Sequence, residues 1–284
     1  MPSINDLKDQ LYDITTFRLI SSAFTEASAA RIKKIRAAFE QNKDFYREIS
    51  HVYHLVQKCA AKAKKSSTKG EKASAQDAPR KILTVALTSN QHFYGNINVN
   101  IMREFFQQSA KINTELYIIG KTGNDLARAM GKGRPYAHTV FAKESPSEAE
   151  ALVFLEYIKS YDSVYLYYPK FISLMTQTVG ILDITQAESE DQVSEAEIKI
   201  LFEPELTRIL EFFNRQVRSL LFLRVLLEAD LSRTAARLMS MSAAEERSDK
   251  LAKEKKRELR KVLASLINRQ LLDTFAGMTK WKKH

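Results

Sequence analysis

The 284-residue sequence predicts an α/β protein in two parts: a long antiparallel coiled coil of the N- and C-terminal helices, and a small Rossmann-like α/β domain between them. Three observations lead there. Near both ends apolar residues recur at alternating steps of four and three, with no Pro or Gly to interrupt them. The middle instead alternates short β-rich runs with helical stretches. A polar, low-complexity stretch at 61–79, rich in Lys, Ser and Ala and closed by Pro79, separates the first helix from that middle. The implied boundaries are a shaft helix at 1–60, a linker at 61–79, an α/β domain at 80–203, a second shaft helix at 204–278 and a basic tail at 279–284.

In the first helix the stripe starts at Leu7, Leu11 and Ile14, and passes through Arg18, Ser21, Thr25 and Ser28. It regains apolar character at Ile32, Ile35 and Phe39, then runs through Asn42 to Tyr46, Ile49, Tyr53 and Val56. About 55 residues at roughly 1.5 Å each give a rod of about 80 Å. The last helix carries Leu206, Leu210, Phe213, Val217, Leu220, Leu227, Leu231, Leu238 and Met241, then Leu259, Leu263, Leu266, Ile267 and Leu271, with Gly277 as the expected stop. Each stripe crosses a small-residue stretch, around Ala29-Ala30 and Ala235-Ala236. That pattern suits either close approach of two helices there or a weak Ala/Ser segment of an ordinary bundle.

Residues 81–88 read as a buried strand, followed by a loop and a helix at 98–110. A second strand at 115–119 exits through Gly120-Lys121-Thr122-Gly123, read as a loop. A helix at 147–159 and a strand at 163–168 follow. An acidic loop at 188–197 then precedes a last strand at 198–202.

Formal net charge is +10, with basic clusters at 58–72, 250–261 and 280–284. Such clusters suit nucleic acid, a solvated helix face or an acidic protein sleeve, because charge speaks to association and not to identity. The single Cys59 excludes an internal disulfide and a cysteine metal cage. No run approaches the roughly 18 apolar residues of a membrane span, and the N-terminus lacks the pattern of a signal peptide.

The sequence carries no catalytic constellation. Gly120-Lys121-Thr122 follows a strand, but the glycine that a phosphate loop needs five residues earlier is Glu115. No Gly-x-Gly-x-x-Gly is present, so cofactors are expected to be none. His51 and His54 lie one helical turn apart without a third metal ligand. Ser89, His92 and Asp125 lack the strained turn that exposes a nucleophile.

Six segments in order resemble the gamma subunit of F-type ATP synthases, the central rotor shaft, across nearly the whole chain. The strongest is 228–241, with Glu228, Ser232, Ala235-Ala236-Arg237-Leu238 and Met241 against the family's Glu, then Ser-Glu-x-Ala-Ala-Arg-Met and a following Met. The turn after the first strand, running to Gly95-Asn96-Ile97-Asn98, stands at the family's glycine-rich turn and its Asn-x-Asn. Lys170-Phe171 with Gln177 resembles Lys-Phe-x-x-x-x-x-Gln, and Phe202-Glu203-Pro204 resembles Tyr-Glu-Pro. Segments 20–32 and 267–277 resemble parts of the family's first helix and terminal stretch. The chain also departs from the family. Arg233 stands where the pattern has its second Glu, Asn90-Gln91-His92 replaces Asp-Arg-Gly, and Leu263-Ala264 replaces an Arg-Gln pair that meets the catalytic subunits.

The resemblance implies a divergent, non-catalytic rotor subunit. It implies partners in the alpha and beta subunits of the catalytic ring, an epsilon subunit and a membrane c-ring, with no nucleic acid, at the cytoplasmic face of a membrane. Rotor–stator contacts are then expected at Arg260, Lys261, Leu266, Ile267, Asn268, Arg269, Gln270 and Leu271, and close helix packing at Ala29, Ala30, Ala235 and Ala236. The competing reading is a basic coiled-coil nucleic-acid-binding or scaffold protein.

Overall fold

The computed structural model describes residues 3–67, 81–130, 133–144, 146–185 and 206–281. The element order is α1 (Ile4–Ser67), β1 (Ile82–Leu87), α2 (Ile97–Ser109), β2 (Glu115–Ile119), α3 (Lys121–Met130), β3 (Ala137–Thr139), α4 (Glu148–Ile158), β4 (Ser163–Phe171), β5 (Gln177–Asp183) and α5 (Leu206–Trp281). The chain divides into two compact units, one of residues 1–29 with 237–284 and one of residues 30–236. Both long helices contribute to each.

In the first unit α1 and α5 run antiparallel. The Arg18 guanidinium meets Asp249 at 3.2 Å, and Arg237 lies 5.7 Å from the ring centre of Phe24. Two helices alone bury little, so the core here is narrow: Leu7, Ser21 and Ser28 from α1, and Met241 and Ser248 from α5. Burial follows the four-three stripe read from the sequence. Leu7, Ser21, Ser28, Ile35, Tyr46, Tyr53 and Val56 are buried, and the stripe positions between them are half-buried.

The second unit holds the sheet, in order β3-β2-β1-β4-β5. The β1–β2, β1–β4 and β2–β3 pairs are parallel, and β4–β5 is antiparallel. Central β1 is covered on both faces, as the continuous apolar run of a parallel strand requires. Leu83, Val85 and Leu87 join a core with Tyr46 and Tyr53 of α1, Phe154 and Ile158 of α4, and Val217, Leu221, Phe222 and Val225 of α5. Ala86 points the other way, among Ile101, Met102, Phe105 and Phe106 of α2. Ser147 caps α4 and is reciprocated by Glu150, whose carboxylate accepts from the Ser147 and Ala142 amides. Those amide bonds and the Ser147 hydroxyl hold the Glu150 carboxyl below its ordinary range.

Four sequence expectations need correction. Gly120–Gly123 is not a loop: α3 starts at Lys121, directly after β2. Both glycines are required by contact with Thr88, the residue after β1, since a Cβ on Gly120 (φ +107°) would lie 2.6 Å from the Thr88 carbonyl oxygen and one on Gly123 would lie 2.4 Å from Thr88 Oγ1. The Gly123 amide donates to that same hydroxyl oxygen. Strands β3 and β5 were not foreseen; β3 has three residues and no apolar run, and β5 alternates weakly along an edge. Helix α1 continues to Ser67, past the start expected for the linker, because Lys and Ala keep good helix propensity. Helix α5 passes Gly277 and ends at Trp281, so the first residues of the expected tail are helical. The remainder of the linker from 68, the acidic loop at 188–197, the strand at 198–202 and the tail beyond 281 lie outside the described residues.

Candidate functional site

Toward its C-terminal end α5 is continuously exposed among the described residues. The Arg18–Asp249 pair sets the register in the first unit. Leu7, eleven residues before Arg18, then falls opposite roughly residue 260. Among the described residues α1 therefore faces α5 only up to about residue 264. Exposure follows this geometry. Val262 and Leu263 are half-buried, and every residue from 264 to 276 is exposed. Leu266, Ile267, Leu271, Leu272 and Phe275 show between 44% and 67% of their surface.

All eight expected rotor–stator residues, Arg260, Lys261, Leu266, Ile267, Asn268, Arg269, Gln270 and Leu271, are exposed on this helix. The expected packing residues divide. Ala235 and Ala236 are buried, whereas Ala29 and Ala30 are exposed. The small residues that α1 turns inward are Ser21 and Ser28. The four-three stripe places 28 and 32 on the inner face, so 29 and 30 point away from it.

A second constellation lies in the unit of residues 30–236, where α5 carries ionisable groups at buried positions. Asp230 receives both bonds of a fork from Arg31 Nη2 of α1, at 3.0 and 2.9 Å. Burial disfavours the Arg31 charge, but the hydrogen bond and charge of Asp230 outweigh it and raise its pKa. Glu228 accepts from the Tyr168 hydroxyl and the Phe171 amide, each at 3.3 Å. Burial pushes its carboxyl above the ordinary range, against the pull of the Phe171 amide, Arg224, the Tyr168 hydroxyl and Lys170.

Arg233 is the largest fully buried side chain. Its Nη1 donates to the Thr88 carbonyl at 3.0 Å and its Nη2 to the Glu144 carbonyl at 3.3 Å. The Glu144 carboxylate accepts from the Asn90 and Gln91 amides at 3.0 and 2.6 Å. Sequence reasoning registered Arg233 only as a departure from a pattern and missed Glu144. The available signal was a run of charges, 228–233, on an otherwise apolar stretch of helix.

Ser89, imagined in a nucleophilic triad, is fully buried and bonded to Asn98 and the Gln91 carbonyl. Gln177 closes the β4–β5 turn by donating to the Ser173 and Leu174 carbonyls. Among the described residues no three His, Cys, Asp or Glu side chains converge as a metal site, and no helix is long and apolar enough to cross a membrane.

The elements define a class of protein with two long terminal helices and an α/β domain inserted between them in sequence. The family model described as ATP synthase matches residues 3–279, and the chain belongs to that family as one of its gamma chains. The ATP synthase gamma chain of Pelotomaculum thermopropionicum is 24% identical over 253 residues, covering 86% of this chain and 87% of that one. That of Christiangramia forsetii is 23% identical over 98% of both chains. Among solved structures, a chain of the Tetrahymena thermophila mitochondrial ATP synthase central stalk and c-ring matches with a TM-score of 0.57 at 18% identity. It covers 79% of this chain and 99% of its own. A chain of the Euglena gracilis mitochondrial ATP synthase matches with a TM-score of 0.55 at 17% identity, covering 88% of this chain and 94% of that one. Members of this family are non-catalytic subunits of a membrane-associated rotary complex.

Proposed function

We propose that the chain is the central shaft of an F-type rotary complex and carries torque between an ion-driven membrane ring and a ring of catalytic alpha and beta subunits. The observation that supports this most directly is the uncovered end of α5. Four large aliphatic side chains within seven residues, Leu266, Ile267, Leu271 and Leu272, show 44% to 67% of their surface and need a surrounding sleeve to leave water. The catalytic ring is that sleeve. As the shaft turns, its unequal sides contact successive catalytic sites differently, and the difference in contact energy shifts each site between open and closed forms. The α/β domain sits toward an epsilon subunit and the membrane c-ring, at the cytoplasmic face.

Within the sleeve Leu266, Ile267 and Leu271 act by fit. With Leu263 and Ala264 in place of a polar pair, the hydrogen-bonding groups are Arg260, Lys261, Asn268, Arg269 and Gln270. A hydrogen bond to a charged group is worth about 1.5–3 kcal/mol, so losing one slows turnover without dissolving the assembly. The test is ATP turnover coupled to ion movement in the assembled complex carrying Arg260→Ala, Arg269→Ala or a deletion of 279–284. Slower turnover in the two substitutions and little change in the deletion is the expected result. A deletion that abolishes turnover while both substitutions are silent would assign the working contact to the tail. Co-purification with alpha and beta subunits, and not with salt-sensitive nucleic acid, checks the reading as a whole.

A further inference from the structure

In an open parallel sheet, ligands bind in the crevice beyond the strand ends, where the strand order reverses. In this chain β1 is followed across the sheet by β2 and then β3 on one side. The chain then returns to place β4 on the other, so the reversal lies between β1 and β4. That crevice is already filled. Arg233 reaches in from α5 with 1% of its side chain exposed and binds the carbonyl of Thr88, the first residue beyond β1. Glu144, 4% exposed, lies with Oε2 at 3.8 Å from Arg233 Nη1.

The partners of these two residues reach the surrounding loops. Glu144 Oε1 holds the Asn90 and Gln91 amides. Asn90 in turn donates to the Phe141 carbonyl at 2.8 Å and accepts from the Lys121 amide at 3.2 Å. The segments after β1 and β3 thus converge on one carboxylate and one guanidinium, and the start of α3 is tied to them through Asn90. Three residues earlier on α5, nearly one turn, Asp230 clamps Arg31 of α1. Glu144 thus stands between the Arg233 guanidinium on one side and the Asn90 and Gln91 backbone amides on the other.

We infer that Arg233 acts as a tethered ligand of the α/β domain, with Glu144 as its counter-ion, and that the Arg31–Asp230 and Arg233–Glu144 pairs form the junction that passes rotation from the domain to the two long helices. This rests on the rotor reading. A guanidinium fork fixed at two carbonyls resists twisting about α5 in a way that an apolar side chain of equal volume cannot, because its bonds have direction. Arg233 and Glu144 are positioning residues and touch no substrate.

The experiment uses the assembled complex in sealed vesicles and compares ATP hydrolysis with ions moved per ATP. Arg233→Met and Glu144→Gln are expected to keep hydrolysis within about twofold of the parent while ions moved per ATP fall several-fold. Arg233→Lys, which keeps the charge and loses the fork, should fall between. Amide exchange at Asn90 and Gln91 should rise about tenfold or more in Glu144→Gln, which reports release of the loops. The control Arg18→Ala, in an exposed pair, should change neither quantity.

Released amides with an unchanged ratio would overturn the junction. So would equal loss of hydrolysis and transport in all three variants, which marks a merely structural role. If Arg233→Met does not assemble, Glu144→Gln still decides, because it removes the counter-ion of Arg233 and weakens the hold on the Asn90 and Gln91 amides at unchanged side-chain volume. Parent complex that neither co-assembles with the catalytic ring nor moves ions would instead sink the rotor reading, whatever the variants do.

Discussion

The same two helices are held together by an ion pair in each compact unit, and the two pairs differ in their surroundings. Arg18–Asp249 leaves 41% and 45% of its side chains exposed. In Arg31–Asp230 the base is just as open, at 44%, but the acid is only 7% exposed and accepts from Arg31 Nη2 with both oxygens. The Arg–Asp chemistry is the same in both. What changes is a third layer: in the unit of residues 30–236 the sheet and its loops also pack on α5 and keep water from the acid, whereas among the described residues of the other unit α1 and α5 pack on each other. Charge on a long helix is therefore a solvated flank in one unit and a directional fastener in the other, and neighbours outside the helix pair decide which.

The comparison can be broken most forcefully at Arg233. Arg233→Ala leaves the 4%-exposed Glu144 carboxylate without its counter-ion, and breaking a buried pair on one side costs about 3–5 kcal/mol. Urea unfolding should show a loss of that size, and a loss below 1 kcal/mol would mean that water reaches the pair. Next comes packing. Ala236 is 6% exposed against the α2 core, so Ala236→Trp should cost about 1–3 kcal/mol by overpacking. Lys250→Trp, on a side chain 69% exposed, should stay within about 0.5 kcal/mol. Equal melting shifts for the two would erase the contrast between the units.

A smaller effect concerns acid. Because burial raises the Glu228 carboxyl above its ordinary range, the folded state binds more protons than the unfolded chain between the ordinary value and the raised one. Stability is then fullest below the ordinary carboxylate range and declines as pH rises through the raised value. Glu228→Gln should remove that part of the pH dependence; a parent profile that instead gains stability over this interval would contradict the assignment. The smallest effect is expected at Arg18–Asp249. A double-mutant cycle should return about 0.2–1 kcal/mol, as exposed pairs do, and the coupling should fade in about 1 M salt, where the screening length is roughly 3 Å.

The long helices and their inner stripe were determined by the sequence alone. The four-three pattern from Leu7 to Val56 names the buried and half-buried positions of α1 one by one, because side-chain direction on a helix depends only on local geometry. Strands β1, β2 and β4 were legible for a similar reason, as apolar runs too short for helices. Helix α3 was not: Gly120 and Gly123 read as loop residues until Thr88, more than thirty positions away, is placed against them. The short β3 and the edge strand β5 owe their pairing to neighbours as well, since neither carries a strong pattern of its own. Ala29 and Ala30 looked like contact residues by size, but the phase of the stripe turns them outward and sets Ser21 and Ser28 inside. The exposed candidates on α5 could be named from the sequence, yet where α1 stops facing them among the described residues follows only from the Arg18–Asp249 register. Arg233 and Glu144 mark the limit most clearly. Eighty-nine positions separate them, no local periodicity links them, and their meaning comes entirely from the sheet order that opens a crevice between β1 and β4 and from the helix that fills it.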